Sequence, residues 1–150
     1  MVSVETIAVM MHSDEVRVGP GVARRLILGQ FPHWSDLPIR AVVADGTVHA
    51  IFRIGDELAA RFPLRPDDVA TVRDRLLAEA AAARELADCS PVPTPEPVAL
   101  GEPGPGYPLP WSVQTWVPGR VATDDDPGGS VVFARDLAGF IRALRAADTR

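Results

Sequence analysis

The sequence of 150 residues contains no lysine, because all 15 of its basic residues are arginine. Any chemistry that requires a lysine amine must therefore be absent or be performed by another group. Cysteine is almost absent as well: Cys89 stands alone, so no disulfide can form within the chain. Cys89 also has no cysteine or histidine neighbour at the spacing of a metal site, which favours an inert thiol in a reducing compartment.

An excess of positive charge and a long apolar run are missing too. The net charge is −5, whereas domains that bind a phosphate backbone usually carry a basic excess, so nucleic acid is not an expected partner. The N-terminal apolar run Ile7–Met11 is too short to span a bilayer and lacks a basic flank, which argues against a signal peptide or a membrane anchor. With 47% hydrophobic and 23% charged residues, the composition indicates one soluble globular domain, which we expect in the cytoplasm.

Hydrophobic spacing and turn residues predict an α+β fold. Apolar residues recur at helical spacing over Pro20–Gln30, Val69–Ala87 and Val132–Ala147. Other apolar stretches predict five strands, and Gly55-Asp56 between the second and third favours a hairpin. The expected result is a five-stranded antiparallel sheet with one long helix, flanked by an N-terminal and a C-terminal helix. The predicted strands are Ile39–Ala44, Val48–Ile54, Glu57–Phe62, Val98–Leu100 and Trp111–Val117.

A proline-rich stretch and the phase of the predicted elements define the expected core. The alternate prolines of Ser90–Pro97 exclude a helix there and predict an extended connection inside a single domain. Apolar positions at strand or helix period should face inward together. The predicted core consists of Val42, Ile51, Phe52, Leu58, Val72, Leu76, Leu86, Val98 and Val113.

Two charged residues fall at informative positions of these elements. Period-two alternation places Ala59 and Arg61 on one face of the third strand and Phe62 on the other. At about 100° per residue, Glu79 lies within the apolar stripe of the long helix, where a carboxylate needs a cation. Arg61 is a natural partner for it. The alternative is that Arg61 is an ordinary strand charge and that Glu79 reaches solvent by itself.

The order of these features resembles the N-terminal lobe of aminoglycoside phosphotransferase-like kinases, which share the protein-kinase-like fold. The resemblance covers nearly all of the chain from Met11 to Thr149. The segments that carry it are Met11–Val16, Gln30–Arg40, Gly46–Asp56, Arg61–Pro63, Pro95–Pro97, Gly101–Pro103, Pro110–Val113 and Trp116–Gly119.

This resemblance implies a site for ATP or GTP with Mg²⁺. Ala44–His49 would be the loop over the phosphates, although Gly46 is its only glycine. Ala59 matches the small residue of the adenine pocket, Arg61 takes the position of the phosphate-contacting lysine, and Glu79 would orient it. Backbone groups near Gln114 to Val117 would bind the base. The nucleotide-binding residues implied are Gly46, Thr47, Ala59, Arg61, Glu79, Gln114, Thr115, Trp116 and Val117.

The same resemblance places the catalytic residues elsewhere. Such kinases carry a His-Gly-Asp-like loop and a metal-binding aspartate in the C-terminal lobe, whereas His12, His33 and His49 all precede the long helix and none is followed by Gly-Asp. We interpret Asp124–Asp126 as a solvated loop rather than a magnesium site, because it lies among turn formers. We therefore expect no catalytic residue and no metal ligand in this chain, which should be inactive by itself.

The predicted organisation has three parts: an N-terminal segment (1–19), a kinase-like lobe (20–120), and an acidic loop with a helix that would begin a missing C-terminal lobe (121–150). The whole enzyme would transfer the γ-phosphoryl group of ATP or GTP to a hydroxyl of a small molecule, with this chain as an incomplete part of it. The alternative is a non-catalytic interaction module. Apolar residues of the last helix form a stripe over 133–144, which should drive self-association or fold back onto the sheet.

Overall fold

The computed structural model describes residues 16–43, 48–120 and 126–147. These residues form an α+β fold, as predicted. The helices are α1 (Pro20–Gln30), α2 (Val69–Cys89) and α3 (Val131–Ala146), with short 3₁₀ turns at Pro32–Trp34 and Pro127–Gly129. The strands are β1 (Ile39–Val42), β2 (His49–Ile54), β3 (Leu58–Pro63), β4 (Pro97–Gly101) and β5 (Trp111–Thr115).

Within the described residues, the five strands form one sheet in the order β1-β2-β3-β5-β4, and every neighbouring pair is antiparallel. This confirms the predicted fold class. The hairpin between β2 and β3 is also present, but Ile54 pairs with Leu58, so its loop includes Glu57 as a third residue. Gly55 has a φ of +59°, a conformation that glycine adopts without a steric penalty.

The long helix α2 begins at an N-cap and ends at a proline-rich segment. The Asp68 side chain accepts a hydrogen bond from the Thr71 amide at 3.1 Å, which satisfies one of the free N–H groups of the first turn. Val72 and Leu76 are the buried residues of the helix. The helix continues to Cys89, two residues beyond the predicted end at Ala87, and stops before Pro91 because proline lacks an amide donor.

An aromatic cluster forms the centre of the core on one face of the sheet. Trp111 stacks on Phe62 with 4.7 Å between ring centroids, and Phe52 and Tyr107 pack edge-on against Phe62. Helix α1 adds Ala23, Leu26 and Ile27 to the same cluster. The core is thus built from the sheet, α1, Val72 and Leu76 of α2, and the segment that leads into β5.

The predicted core was correct in part. Of its members, Phe52, Val72, Leu76 and Val113 are buried, whereas Val42, Ile51, Leu58 and Leu86 are partly buried. The prediction was wrong for Val98, which is 45% exposed. Val98 lies on the edge strand β4 at an irregularity of the register between Pro97 and Ala99, so the regular alternation does not hold there.

Helix α3 leaves much of its apolar side exposed. It contacts α2, and none of its residues is buried. No helix in the described parts of the chain combines the length and the apolar character that crossing a membrane requires.

Candidate functional site

The candidate site is built around Arg61 on β3. Its guanidinium Nη1 lies 3.7 Å from Glu79 Oε2 on α2 and donates a hydrogen bond to Gln114 Oε1 on β5 at 3.3 Å. The predicted contact between Arg61 and Glu79 is therefore present. The Arg61 side chain is 27% exposed and that of Glu79 42%, so the pair lies at the border of the core and the solvent.

The strand register explains why these groups converge. Arg61 pairs with Ser112 of β5, and Ala59 pairs with Gln114, so the residues alternate toward the same face of the sheet. Ala59 is buried with 2% exposure, so its methyl group is covered by neighbouring groups on that face. Helix α2 crosses this face and brings Glu79 within reach of the arginine.

A small gap lies between α2 and the sheet behind the ion pair. It is lined by Arg61, Leu76, Glu79, Ser112 and Gln114, with further contacts from α2 and β4, and its volume is about 60 Å³. A volume of this size holds about two water molecules. Arg61 is itself partly exposed, so its guanidinium can also contact a ligand from solvent.

The segment after β5 contributes mainly backbone groups. The Thr115 amide donates to the Glu96 carbonyl at 2.8 Å, and the Trp116 amide donates to the Glu57 carbonyl at 2.7 Å. These two donors are thus already used. Within the described parts of the chain, the amide of Val117 has no such partner and remains a free donor.

Trp116 also has a cationic neighbour, Arg53, which was not among the predicted site residues. The Arg53 guanidinium lies 4.9 Å from the centre of the Trp116 ring and donates to the Asp56 carbonyl at 3.0 Å. Arg53 thereby connects the β2–β3 hairpin to the segment after β5.

His49 is a second group that was not in the predicted set of site residues. It begins β2, is partly buried, and shares the Arg61 face because Ile51, two residues further on, pairs with Arg61. Burial, followed by the positive charge of Arg61, lowers the pKa of His49 below its ordinary value. Alternation along β2 is the sequence signal that could have identified it.

Gly46 and Thr47 lie outside the described residues, as do Asp124 and Asp125. Asp126 accepts a hydrogen bond from the Gly128 amide at 2.9 Å, which is the behaviour of a loop residue. Across residues 16–43, 48–120 and 126–147, no group of three or more histidine, cysteine, aspartate or glutamate side chains could hold a metal ion.

Comparison with known proteins assigns the family. The sequence profile of the phosphotransferase enzyme family matches residues 39–150. The chain belongs to the phosphotransferase enzyme family. The comparison with curated protein sequences found no match.

Solved structures with the same fold agree with this assignment. The GDP complex of wild-type aminoglycoside 2'-phosphotransferase-IIIa is 21% identical, with a TM-score of 0.69 over 87% of this chain and 43% of that chain. The streptomycin–ATP–APH(2")-IIa ternary complex is 16% identical, with a TM-score of 0.57 over 89% of this chain and 42% of that chain. The chain of this phosphotransferase family member therefore spans less than half the length of these structures, and the matched part has the fold of their N-terminal lobe.

Proposed function

We propose that this chain is the nucleotide-binding lobe of a small-molecule kinase, which binds ATP or GTP through Arg61 and its neighbours. The observation that carries this proposal is the contact of the partly exposed Arg61 with Glu79 and Gln114, between α2 and the sheet. A partly exposed guanidinium held from two sides is positioned to donate further hydrogen bonds to an anion.

Arginine suits this role chemically. Its planar guanidinium has five N–H donors and stays charged at all relevant pH values, so it can bind two phosphate oxygens at once. Glu79 and Gln114 fix its orientation, which reduces the entropy lost when phosphate binds. In a kinase, such positioning and charge neutralisation supply most of the catalysis.

The whole enzyme would transfer the γ-phosphoryl group to a hydroxyl of a small molecule. The solved structures of similar fold include complexes with GDP, ATP and streptomycin, which supports a nucleotide and a small-molecule acceptor as substrates. The described residues do not fit a Mg²⁺ site of their own, because the carboxylate at the site, Glu79, is paired with Arg61. We expect the metal ligands and the catalytic base outside this chain, and no phosphoryl transfer by this chain alone.

Titration calorimetry with ATP or GTP in the presence of Mg²⁺ tests the proposal. The wild-type chain should bind a nucleotide, and Arg61→Gln should weaken binding at least about tenfold, because a charged hydrogen bond contributes about 1.5–3 kcal/mol. Arg73→Gln is the matched control, since Arg73 is 35% exposed and pairs with Glu102 away from the site.

The control variant should bind nucleotide as the wild type does. The proposal fails if folded wild-type chain binds neither nucleotide at millimolar concentration. It also fails if Arg61→Gln and Arg73→Gln have the same affinity as the wild type, because the phosphates would then not contact Arg61.

A second candidate function is that of a non-catalytic interaction module. The exposed apolar side of α3 favours it, because Phe133, Leu137, Ile141 and Leu144 are each at least 40% exposed. In this case the chain would associate with a second copy through residues 133–144. For both candidate functions we propose the same organisation, with parts that end at residues 19 and 120. We also propose that the protein is located in the cytoplasm.

A further inference from the structure

A partly buried histidine lies beside the arginine of the candidate site. His49 and Arg61 are diagonal neighbours on one face of the β2–β3 pair, since Arg61 pairs with Ile51 and His49 pairs with Pro63. Diagonal neighbours on one face of an antiparallel pair lie about 7–8 Å apart at their Cα atoms, within reach of long side chains. Arg61 donates to Gln114 on β5, on the other side of β3, so a ligand must extend from the guanidinium toward the start of β2 to reach this imidazole.

The charged groups around His49 come from two neighbouring elements and balance one another. On β3 the group is Arg61, and on α2 the groups are Glu79 and Arg75. Glu79 compensates Arg61 at 3.7 Å, and Asp67, just before α2, compensates Arg75 at 3.4 Å. Arg40 of β1 and Arg53 of β2 lie opposite each other in the strand register, further along the strands from His49, and Arg53 pairs with Asp56.

This balance has a consequence for anion binding. With two cations matched by two carboxylates, the cluster is neutral while the imidazole is uncharged. A bound phosphate adds negative charge. The arginines cannot offset it by gaining a proton, because they are already fully protonated. His49 is the member of the cluster that can gain a positive charge near neutral pH.

We propose that His49 is a second phosphate-contacting residue, which takes up a proton when the phosphates of a nucleotide bind beside Arg61. The inference rests on the proposed nucleotide site and adds a pH dependence to it. The proton goes from solvent to a ring nitrogen of His49, and the resulting imidazolium donates a hydrogen bond to a phosphate oxygen.

The direction of the pH dependence follows from linkage. In the free chain, burial and Arg61 lower the pKa of His49 below the ordinary histidine value of about 6.5. In the complex, the phosphate charge raises it, so binding strengthens as the pH falls through the bound pKa. One linked proton corresponds to a change of up to about tenfold in affinity per pH unit.

Two measurements on the full chain test this inference. The first is calorimetry with ATP and with inorganic triphosphate between pH 5.5 and pH 8, in buffers of different ionisation enthalpy, which counts the protons taken up. The second is an NMR titration of the His49 imidazole in the wild type, free and with each ligand, and with adenosine, which lacks phosphate. His49→Gln removes the titrating group, and His33→Gln is the control because His33 is exposed on the turn after α1.

The expected result is proton uptake in the wild type and in His33→Gln that is lost in His49→Gln. The midpoint of His49 should rise with ATP and with triphosphate but not with adenosine. Equal uptake in wild type and His49→Gln, or an unchanged His49 midpoint in a saturated complex, would overturn the inference while leaving the nucleotide site intact. Absence of any binding to folded wild-type chain would overturn both. The NMR titration needs no variant, so the test survives if His49→Gln fails to fold.

Discussion

Tyr107 illustrates how one polar atom is accommodated in an otherwise apolar core. Its side chain is 1% exposed, and its hydroxyl donates a hydrogen bond to the Pro63 carbonyl at 2.6 Å. This bond ties the segment before β5 to the end of β3. Burial raises the pKa of Tyr107 well above that of an ordinary tyrosine, because the phenolate would be poorly solvated there.

Replacing Tyr107 by phenylalanine should destabilise the fold. Tyr107→Phe leaves a buried carbonyl without its donor, at a cost of about 1–3 kcal/mol, which urea denaturation at pH 7 measures. A free energy of unfolding equal to that of the wild type would show that the hydrogen bond contributes nothing.

The same residue predicts a loss of stability in alkali. The unfolded chain ionises its tyrosine near pH 10, while the folded chain keeps the proton to higher pH, so stability should fall as the pH rises above about 10. Because the chain has one tyrosine and no lysine, few other side chains titrate in this range. Tyr107→Phe should lack this decline. Tyrosine absorbance that titrates near pH 10 in the folded wild type would contradict the prediction.

At the scale of elements, α2 presents two adjacent leucines to different environments. Leu76 is 3% exposed and packs in the core, whereas Leu77 is 52% exposed. Leu76→Ala should therefore lower the free energy of unfolding by about 2–5 kcal/mol, through lost burial and the cavity it leaves. Leu77→Ala, the matched control, should change it by no more than about 0.5 kcal/mol. Equal shifts of the two urea midpoints would mean that the face of α2 is wrongly assigned.

Local signals were sufficient for most elements of the fold. The predicted bounds of α1 are those observed, because Pro20 and Pro32 mark its two ends, and the predicted Gly55 hairpin forms. The face of Arg61 followed from alternation along β3, and the face of Glu79 from helical phase. These features depend on residues near one another in the sequence, which is why the sequence could predict them.

Features that depend on contacts distant in the sequence were missed. Tyr107 and Leu109 belong to the core, yet they lie in a turn-rich segment with no periodicity that would indicate burial. The need for glycine at position 101 could not be predicted for the same reason. A Cβ there would clash with the Trp111 ring, which lies beside Gly101 because β4 pairs with β5. Alternation along β2 could have placed His49 on the Arg61 face, but its charged neighbours on α2 are brought near it only by the tertiary fold.

At the scale of the whole molecule, the sheet separates two kinds of chemistry. One face carries the aromatic cluster and α1, and the other carries Arg61, Gln114 and His49 beneath α2. A lobe arranged this way can be stable through its aromatic core while Arg61 and His49 stay partly exposed on the other face. Among the described residues, the apolar side of α3 stays largely exposed in this arrangement, although α3 contacts α2.

That side of α3 should govern the association state of the molecule. Phe133, Leu137, Ile141 and Leu144 recur at helical spacing and are 40% to 46% exposed, and burying them between two copies would remove apolar surface from water. We expect sedimentation equilibrium to show a concentration-dependent dimer that Leu137→Gln weakens at least about tenfold, since part of a hydrophobic contact is lost. Val43→Gln is the control, because Val43 is 99% exposed just after β1, outside α3, and should leave the dimer intact. Circular dichroism of each variant checks that α3 stays helical. A wild type that remains monomeric at all concentrations, or a Val43→Gln variant that dissociates as Leu137→Gln does, would refute association through this helix.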